Sequence, residues 1–120
     1  AGVLARLRWN GGALHGSGVG LADVDAQGNV HPDQFSMEVS FGNVRQRPFR
    51  AIWNDTSHPI LAGLRDRRKR ITGRCAGCRF FDCCGGGLRS RAAQLTGDPW
   101  ASDPACVLTD DEIARHAGLQ

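Results

Sequence analysis

Four of the five cysteines in this 120-residue chain are spaced as ligands of a metal ion or cluster. Cys75 and Cys78 form a C-x2-C pair, Cys84 follows after five residues, and Cys106 follows after twenty-one more. A C-x2-C turn brings two thiolates together, because its free backbone N–H groups point at the sulfurs. The third ligand would come from the same loop and the fourth from a distant segment, so binding would close a long loop and stabilise the fold.

Two kinds of bound group fit this spacing. Structural zinc sites usually have two C-x2-C pairs, whereas this sequence has one. A [4Fe–4S] cluster tolerates irregular spacing, and with four thiolates it carries a net negative charge that nearby cations must offset when it is buried. The nearby cations in the sequence are Arg74, Arg79, Arg89 and Arg91. The spacing therefore favours iron–sulfur over zinc and leaves disulfides or free thiols as a third alternative.

The fifth cysteine, Cys83, stands directly beside Cys84. Two adjacent loop residues do not easily ligate the same cluster, so the spacing selects Cys84 as the ligand and predicts that Cys83 is a packed thiol. An odd number of cysteines with tight local spacing is typical of a metal site in a reducing compartment rather than of a disulfide framework. We therefore expect a cytoplasmic protein.

Composition excludes several classes of protein. The net charge is only +3, and 22% of the residues are charged, which is an ordinary share for a folded domain and not the signature of a nucleic-acid binder. No apolar run approaches the roughly 18 residues of a membrane span. No secretory signal is visible, because Arg6 interrupts the first apolar stretch. We expect neither nucleic acid nor membrane as a partner.

The elements that must position the cysteines are short. Val19, Leu21 and Val24 are strand formers and Gly28 supplies the positive φ of a tight turn, which predicts a β-hairpin. Apolar spacing and capping residues predict the helices that follow. The predicted elements are strands 18–25 and 29–35, the second broken early by Pro32; a short helix whose first residue is Pro48, with Phe49, Ile52 and Trp53 on one face; a loop 54–57 that ends in an N-cap candidate; helices 60–70 and 87–95; and a last helix from Thr109 through 117 with Glu112 in a capping box.

The cysteine run and its surroundings resemble a known family. The spacing C-x2-C-x5-C-x21-C resembles the second auxiliary-cluster half of the SPASM/twitch domain, which follows the catalytic barrel of many radical S-adenosylmethionine (SAM) enzymes. The segments DVDAQGNVHPDQF, FGNVRQRPFRAIW, GRCAGCRFFDCCGGGLRSRA and LTGDPWASDPACVLTDDEI are similar to radical SAM enzymes of tetrapyrrole side-chain chemistry, those of haem d1 biosynthesis and of the alternative haem pathway. The similarity covers roughly residues 6 to 114.

The resemblance implies an α+β fold, a small β-hairpin followed by short helices around one auxiliary [4Fe–4S] cluster. Its ligands would be Cys75, Cys78, Cys84 and Cys106. Residues 1–17 would continue from an N-terminal radical SAM barrel, and residues 18–120 would form the auxiliary-cluster domain.

Two departures from the family pattern limit the number of clusters. A two-cluster SPASM domain has cysteines at the positions of Asp33 and Leu88, so the resemblance implies a twitch-like domain with one cluster. The C-x3-C-x2-C triad of a SAM-cleaving cluster is not found in these residues. The fragment alone would therefore be inactive.

The resemblance also implies a reaction for the parent enzyme. SAM would be cleaved at a second [4Fe–4S] cluster in the barrel, and hydrogen would be abstracted from a propionate side chain of a didecarboxysirohaem-type tetrapyrrole. The auxiliary cluster would accept an electron or help to position the substrate, and a reducing electron donor would be a further partner. The alternatives are oxidative decarboxylation of iron-coproporphyrin to haem, modification of a ribosomal peptide, or a zinc-stabilised binding module with no enzymatic role.

Other polar and aromatic residues have more ordinary interpretations. Any of four histidines could ligate a tetrapyrrole iron, although surface or capping roles are more usual; they are His15, His31, His58 and His116. The charge run from Arg65 to Arg70 is interpreted as a solvated helix face, with a patch for substrate carboxylates or a redox partner as the alternative. Aromatic anchors are expected at Trp9, Trp53 and Trp100, and turn residues at Asp98 and Asp103.

Overall fold

The computed structural model describes residue 2, residues 4–5 and residues 16–116, with side chains as far as residue 113. The predictions for Trp9, His15, position 117 and the side chain of His116 lie outside this range. The described chain falls into two compact units. We call residues 16–66 the hairpin unit and residues 67–116 the cysteine unit. Helices and one small antiparallel sheet together confirm the predicted α+β class.

The hairpin unit begins with two very short antiparallel strands, β1 (Asp23–Val24) and β2 (Val30–His31). The turn between them is made by the carboxylate of Asp25, which accepts hydrogen bonds from the backbone N–H groups of Gln27 and Asn29, each at 2.9 Å. Gly28 has the predicted positive φ, at 91°.

The predicted strands 18–25 and 29–35 are too long. On the first side, residues 16–21 form a series of turns, in which three successive N–H groups share the carbonyl of Gly16. On the second side, Pro32 follows β2 and has no N–H to extend the ladder. The other edge of β2 is bound by the segment around Gly42, since Val30 N–H donates to the Gly42 carbonyl at 2.9 Å.

Two helices complete the hairpin unit, α1 (Phe49–Trp53) and α2 (Pro59–Leu64). The fully buried apolar side chains of this unit are those of Ile52 from α1, Leu61 from α2 and Val30 from β2. The N-cap of α2 is His58 rather than a residue of the 54–57 loop, because the His58 imidazole accepts a hydrogen bond from the Ile60 N–H at 3.1 Å.

The prediction of one helix over 60–70 is wrong. Helix α2 ends at Leu64, and a separate short helix, α3 (Arg67–Arg70), opens the cysteine unit. The break lies at Arg65, whose side chain turns back to donate to the Gly18 carbonyl at 3.0 Å. A non-local contact of this kind has no signature in the periodicity of the sequence.

The cysteine unit continues with a 3-10 turn and three helices. A 3-10 turn at Gly73–Cys75 and helix α4 (Phe81–Cys84) were not predicted, because each is only three or four residues long. Helix α5 (Arg89–Thr96) starts two residues later than predicted, since Gly86 and Gly87 have φ of 83° and 75°. Helix α6 (Asp110–His116) has the predicted capping box, in which the Glu112 N–H donates to the Thr109 hydroxyl at 3.0 Å. None of the helices in the described ranges is long and apolar enough to span a bilayer.

Candidate metal centre

The four predicted ligands border one cavity within the cysteine unit. Its volume is roughly 290 Å³ including its mouth, and its other lining residues are Phe80, Phe81, Gly86 and Leu108. Cys83 is absent from this lining and packs instead beside Phe80 and Leu108. All five cysteines are free thiols, so the disulfide alternative has no support in this structure.

Cys75 is held by a hydroxyl group from the second half of the unit. Its backbone N–H donates to the Ser102 hydroxyl at 3.1 Å, and that hydroxyl donates to the Thr72 carbonyl at 2.9 Å. The Thr72 N–H in turn donates to the Trp100 carbonyl at 2.9 Å. These three bonds fasten the segment before the C-x2-C pair to the loop that leads to Cys106.

Cys78 and Cys84 are positioned by local hydrogen bonds. The Cys78 N–H donates to the Cys75 carbonyl at 3.2 Å, which closes the C-x2-C turn. The Cys84 N–H donates to the Phe80 carbonyl at 3.0 Å within helix α4. Helix α4 then ends at Gly85, the first of three successive glycines with positive φ.

The glycines allow two other segments to approach the turn after Cys84. A Cβ on Gly86 would lie 2.5 Å from the Ile71 side chain, and a Cβ on Gly87 would lie 2.1 Å from Oδ2 of Asp103. Both separations are far below van der Waals contact. The close approach brings Asp103, three residues before Cys106, against the backbone that follows Cys84.

Asp103 joins the segment after Cys84 to the segment of Cys106. Its carboxylate is buried and accepts from the backbone N–H groups of Leu88 at 3.1 Å and Ala105 at 2.9 Å, while its carbonyl accepts from the Cys106 N–H at 3.1 Å. Arg91 completes the set through a two-pronged ion pair, with its Nε 2.8 Å from Oδ1. Burial pushes the pKa of Asp103 up, but the Arg91 pair and the two N–H groups hold it below the ordinary value. The turn role predicted for Asp103 is confirmed, and its ion pair adds a second role.

The cavity environment disfavours bare thiolates yet provides donors for bound sulfur. Burial raises the pKa of Cys78 and Cys84, against the opposing effect of backbone N–H groups from Phe80 and Gly86. The Leu108 N–H donates to the Cys106 sulfur at 3.5 Å. Backbone donors to cysteine sulfur are one of the means by which proteins tune iron–sulfur clusters.

Two buried arginines, one before the glycine turn in sequence and one after it, bind the carbonyls of that turn. Arg67 donates to the carbonyls of Gly85 at 3.1 Å and Gly87 at 2.9 Å. Arg89 donates to the carbonyl of Gly86. The prediction of a solvated face for the run 65–70 is therefore wrong for Arg67, which is buried, although residues 68–70 are exposed.

The four thiols line one cavity, but within residues 16–113 no group of three or more His, Cys, Asp or Glu side chains is arranged to hold one metal ion. A cubane cluster has four corner irons, each of which takes one thiolate. The number of thiols in the lining fits such a cluster, and the mainly aromatic and aliphatic remainder suits a group that must be shielded from water.

Two of the candidate histidines have structural roles in the hairpin unit. His31 is buried, with Nδ1 2.6 Å from the Val39 carbonyl and Nε2 2.8 Å from the Asp25 carboxylate, so both ring nitrogens are engaged. His58 caps α2 and packs edge-on against Phe41 at 5.1 Å between ring centroids. Both ring nitrogens of His31 are therefore occupied, whereas the hydrogen bond of His58 engages Nδ1 alone.

The remaining predicted residues have roles in packing and turns. Trp53 stacks on Phe49, and the Arg65 guanidinium lies 4.9 Å from its ring centroid. Trp100 packs against the small cluster around Ile71, and the Asp98 carboxylate accepts the Trp100 N–H at 2.9 Å as a turn residue.

The two positions at which the family pattern has further cysteines are also occupied by structural residues. Asp33 is buried and accepts a hydrogen bond from the Ser17 hydroxyl at 2.6 Å. Leu88 precedes helix α5, and its backbone N–H is the one bound by Asp103. Asp33 thus belongs to a hydrogen-bonded pair in the hairpin unit, and Leu88 lies at the start of a helix in the cysteine unit.

Comparison with known proteins shows the family of this chain. A family model described as "SPASM: Iron-sulfur cluster-binding domain" matches residues 18–79, which is just over half of the chain and includes the C-x2-C pair. The chain belongs to the SPASM family of iron–sulfur cluster-binding domains, as the motifs predicted.

Relatives of known name are similar over most of this chain. A "Pre-heme d1 synthase" of Dinoroseobacter shibae is 51% identical over 111 residues, 92% of this chain and 26% of that protein. A "Fe-coproporphyrin III synthase" of Methanosarcina barkeri is 48% identical over 83% of this chain and 26% of that protein. An "AdoMet-dependent heme synthase" of Nitratidesulfovibrio vulgaris is 35% identical over 74% of this chain and 23% of that protein. The chain spans about a quarter of the length of these relatives.

Proposed function

We propose that this chain is the auxiliary-cluster domain of a radical SAM enzyme of haem d1 biosynthesis. Its site would be a single [4Fe–4S] cluster bound by Cys75, Cys78, Cys84 and Cys106. The observation that supports this most directly is the shared cavity, which is lined by these four thiols and not by Cys83. A bound cluster would supply one-electron transfer at this position.

The residues around the cavity would give the cluster its environment. Backbone N–H groups would donate to the cysteine sulfurs, as the Leu108 N–H does to Cys106. Phe80, Phe81 and Leu108 would exclude water from the irons. The buried arginines would keep the glycine turn in place while the sulfurs bind.

The reaction of the whole enzyme is the second part of the proposal. Three relatives have names that refer to haem-type tetrapyrroles, and the one named for pre-haem d1 is 51% identical to this chain. We infer that residues 18–120 follow an N-terminal barrel, reached through residues 1–17, that cleaves SAM at its own [4Fe–4S] cluster. The substrate would be a didecarboxysirohaem-type tetrapyrrole whose propionate side chains react, with a reducing electron donor as a further partner.

The cluster is tested by anaerobic reconstitution of the 120-residue chain with iron and sulfide. We expect a brown protein with about four irons and four sulfides per chain, and the electron paramagnetic resonance (EPR) signal of a reduced [4Fe–4S] cluster after dithionite treatment. Serine variants of the four ligands should each lose most of the iron, whereas Cys83→Ser should retain it. A colourless protein with one zinc, or equal iron in all five variants, would contradict the proposal.

The substrate is tested on the longer enzyme that contains this chain. The purified enzyme, with SAM and a reductant, is offered didecarboxysirohaem, iron-coproporphyrin III and a precursor peptide in separate assays. Loss of propionate carbon from the first substrate, with formation of 5′-deoxyadenosine, is the expected result. Turnover of one of the other two alone would assign the enzyme to that alternative reaction.

A further inference from the structure

Arg89 occupies an unusual position in the cysteine unit. It is the first residue of α5, and only 4% of it is exposed. Its guanidinium donates to three backbone carbonyls, those of Gly86, Pro99 at 3.0 Å, and Ala101. Its Nε atom is buried and has no hydrogen-bond partner among the described residues.

Among the described residues, no carboxylate forms an ion pair with the Arg89 guanidinium. Arginine keeps its proton in proteins, so burial leaves a full positive charge that must be offset. Burial lowers the pKa of Arg89, and the negative groups that oppose this effect are Cys75 first, then Asp103, Cys84 and Asp98. Asp103 is already engaged in its two-pronged ion pair with Arg91, and Asp98 is exposed, so water screens its charge. The negative groups left to offset Arg89 would be the cysteine sulfurs once they bind a cluster as thiolates.

The hydrogen bonds of Arg89 also join two segments that lie next to predicted cluster ligands in sequence. Gly86, whose carbonyl it binds, is a lining residue. Pro99 and Ala101 belong to the loop that leads to Cys106. One buried cation therefore lies directly behind the cavity wall and joins the segment that follows Cys84 to the segment that precedes Cys106.

We propose that Arg89 is the counter-cation of the bound cluster, a positioning residue that raises its reduction potential. This inference rests on the proposed function, because it requires a cluster whose thiolates give it net negative charge. Addition of one electron to the oxidised [4Fe–4S] cluster makes that charge more negative. A fixed buried cation stabilises the reduced cluster more than the oxidised one, since the local dielectric is low.

The test is a redox titration of the reconstituted chain with dithionite and mediators, monitored by EPR. The neutral variants Arg89→Gln, which keeps a hydrogen-bond donor, and Arg89→Met should each make one-electron reduction at least about tenfold less favourable, which is about 59 mV toward negative potential. Arg89→Lys keeps the charge and should stay within about threefold of the wild-type equilibrium, or 28 mV on the same scale.

The matched control is Arg70→Met in the same unit. Arg70 is an exposed arginine whose guanidinium lies 5.9 Å from the Trp100 ring centroid. Because water and salt screen an exposed charge, its removal should change the reduction equilibrium by less than about twofold. Wild-type potential in both neutral Arg89 variants would overturn the role of Arg89 and leave the cluster intact, whereas failure of the wild-type chain to bind iron would overturn the proposed function itself.

If the neutral variants do not fold or do not bind iron, a measurement on the wild-type chain tests whether Arg89 lies near the cluster. Protein labelled with 15N-arginine is reconstituted and reduced, and electron–nuclear double resonance detects arginine nitrogen near the cluster. We expect a 15N coupling that disappears in Arg89→Lys, which has no arginine at this position. No coupling in the wild type, or an unchanged coupling in the lysine variant, would overturn the proposal.

Discussion

The hairpin unit and the cysteine unit are similar in size but differ in what occupies their centres. In the hairpin unit, the fully buried apolar side chains are those of Val30, Ile52 and Leu61. In the cysteine unit, two small apolar groups around Phe80 and Ile71 lie beside the cavity lined by four thiols. The hairpin unit therefore buries aliphatic side chains, whereas the cysteine unit contains a cavity lined by thiols.

The two units also differ in which charged side chains they bury. In the hairpin unit the buried ones are His31 and Asp33, and no arginine of residues 16–66 is buried. In the cysteine unit, Arg67 and Arg89 are buried against backbone carbonyls, and Asp103 is buried against backbone N–H groups. A small domain with a modest apolar core commonly depends on a metal group for its stability. We therefore expect the two units to respond differently when the cluster is lost.

The largest effect should come from loss of the cluster. Cys84→Ser should remove most of the iron and destabilise the cysteine unit by at least about 2.7 kcal/mol, the value for a site saturated at a hundred times its Kd. Hydrogen exchange read by mass spectrometry should then be faster in residues 67–113 and unchanged in residues 28–44. The control is Cys83→Ser, which should exchange as the wild type does. Equal acceleration in both units would contradict the comparison.

A methyl group in the glycine turn should be the next most damaging change. Gly87→Ala puts an L-residue at a φ of 75° and a Cβ 2.1 Å from the Asp103 carboxylate. Backbone strain and displacement of Asp103 together should destabilise the chain by about 3 kcal/mol.

The matched control for this variant is Gly77→Ala in the C-x2-C turn. Nothing lies within 4 Å of the Cβ that it would add, so the change should stay within about 0.5 kcal/mol. Denaturant unfolding of the iron-loaded proteins measures both variants. Similar unfolding midpoints for the two variants would show that the close approach of Asp103 to Gly87 does not contribute to stability.

The buried ion pair should be worth more than an exposed one. Asp103→Asn removes the charge that Arg91 binds and should cost about 2 kcal/mol, since hydrogen bonds to charged groups contribute on that scale. Asp82→Asn removes the partner of Arg68, but the Asp82 side chain is 91% exposed. The expected change there is below about 1 kcal/mol. Thermal unfolding of the two variants compares their stability. A larger loss of stability in Asp82→Asn than in Asp103→Asn would refute the prediction.

The smallest expected effect is a pH dependence confined to the hairpin unit. Both ring nitrogens of His31 face acceptors, the Val39 carbonyl and the Asp25 carboxylate, and this arrangement favours the doubly protonated imidazole. Although burial acts to lower its pKa, Asp25, Val39 and Asp23 raise it above the ordinary value of 6.5. A raised folded-state pKa gives stability that is complete below pH 6.5 and lost as pH rises through the higher folded value.

This dependence is measured by hydrogen exchange of residues 28–44 between pH 5 and 9, corrected for intrinsic exchange. Protection should fall towards alkaline pH in the wild type and become nearly flat in His31→Gln, which cannot gain a proton. The pKa of Asp25 is strongly lowered, chiefly by its hydrogen bond to His31, so its own contribution is lost only in strong acid, far below this range. A flat wild-type profile would contradict a protonated His31.

Local sequence signals predicted much of this structure. The tight turn at Gly28, the start of a helix after Pro48 and the capping box of Thr109 and Glu112 each depend on residues a few positions apart. Predictions failed where a distant residue decides the outcome. The helix over 60–70 is interrupted where Arg65 reaches the Gly18 carbonyl, 47 residues away in sequence.

For the candidate site too, prediction succeeded where local spacing was sufficient and failed where distant contacts decide the structure. Spacing was enough to select the four cysteines that share the cavity, and to separate Cys83 from Cys84. The burial of Arg67 could not be read from a run of five basic residues, because only the fold shows which of them faces the glycine carbonyls. The Ser102 and Asp103 contacts depend on a loop without regular secondary structure, for which periodicity offers no signal.

The contacts of Asp103 should affect how the chain assembles its cluster. One carboxylate ties the backbone after Cys84 to the turn that carries Cys106, and through Arg91 to helix α5. A chain in which either cysteine is out of place should lose the geometry of the other as well. Assembly should therefore be all-or-none, so that a half-supplied sample separates into fully metallated and iron-free molecules with few intermediates between them.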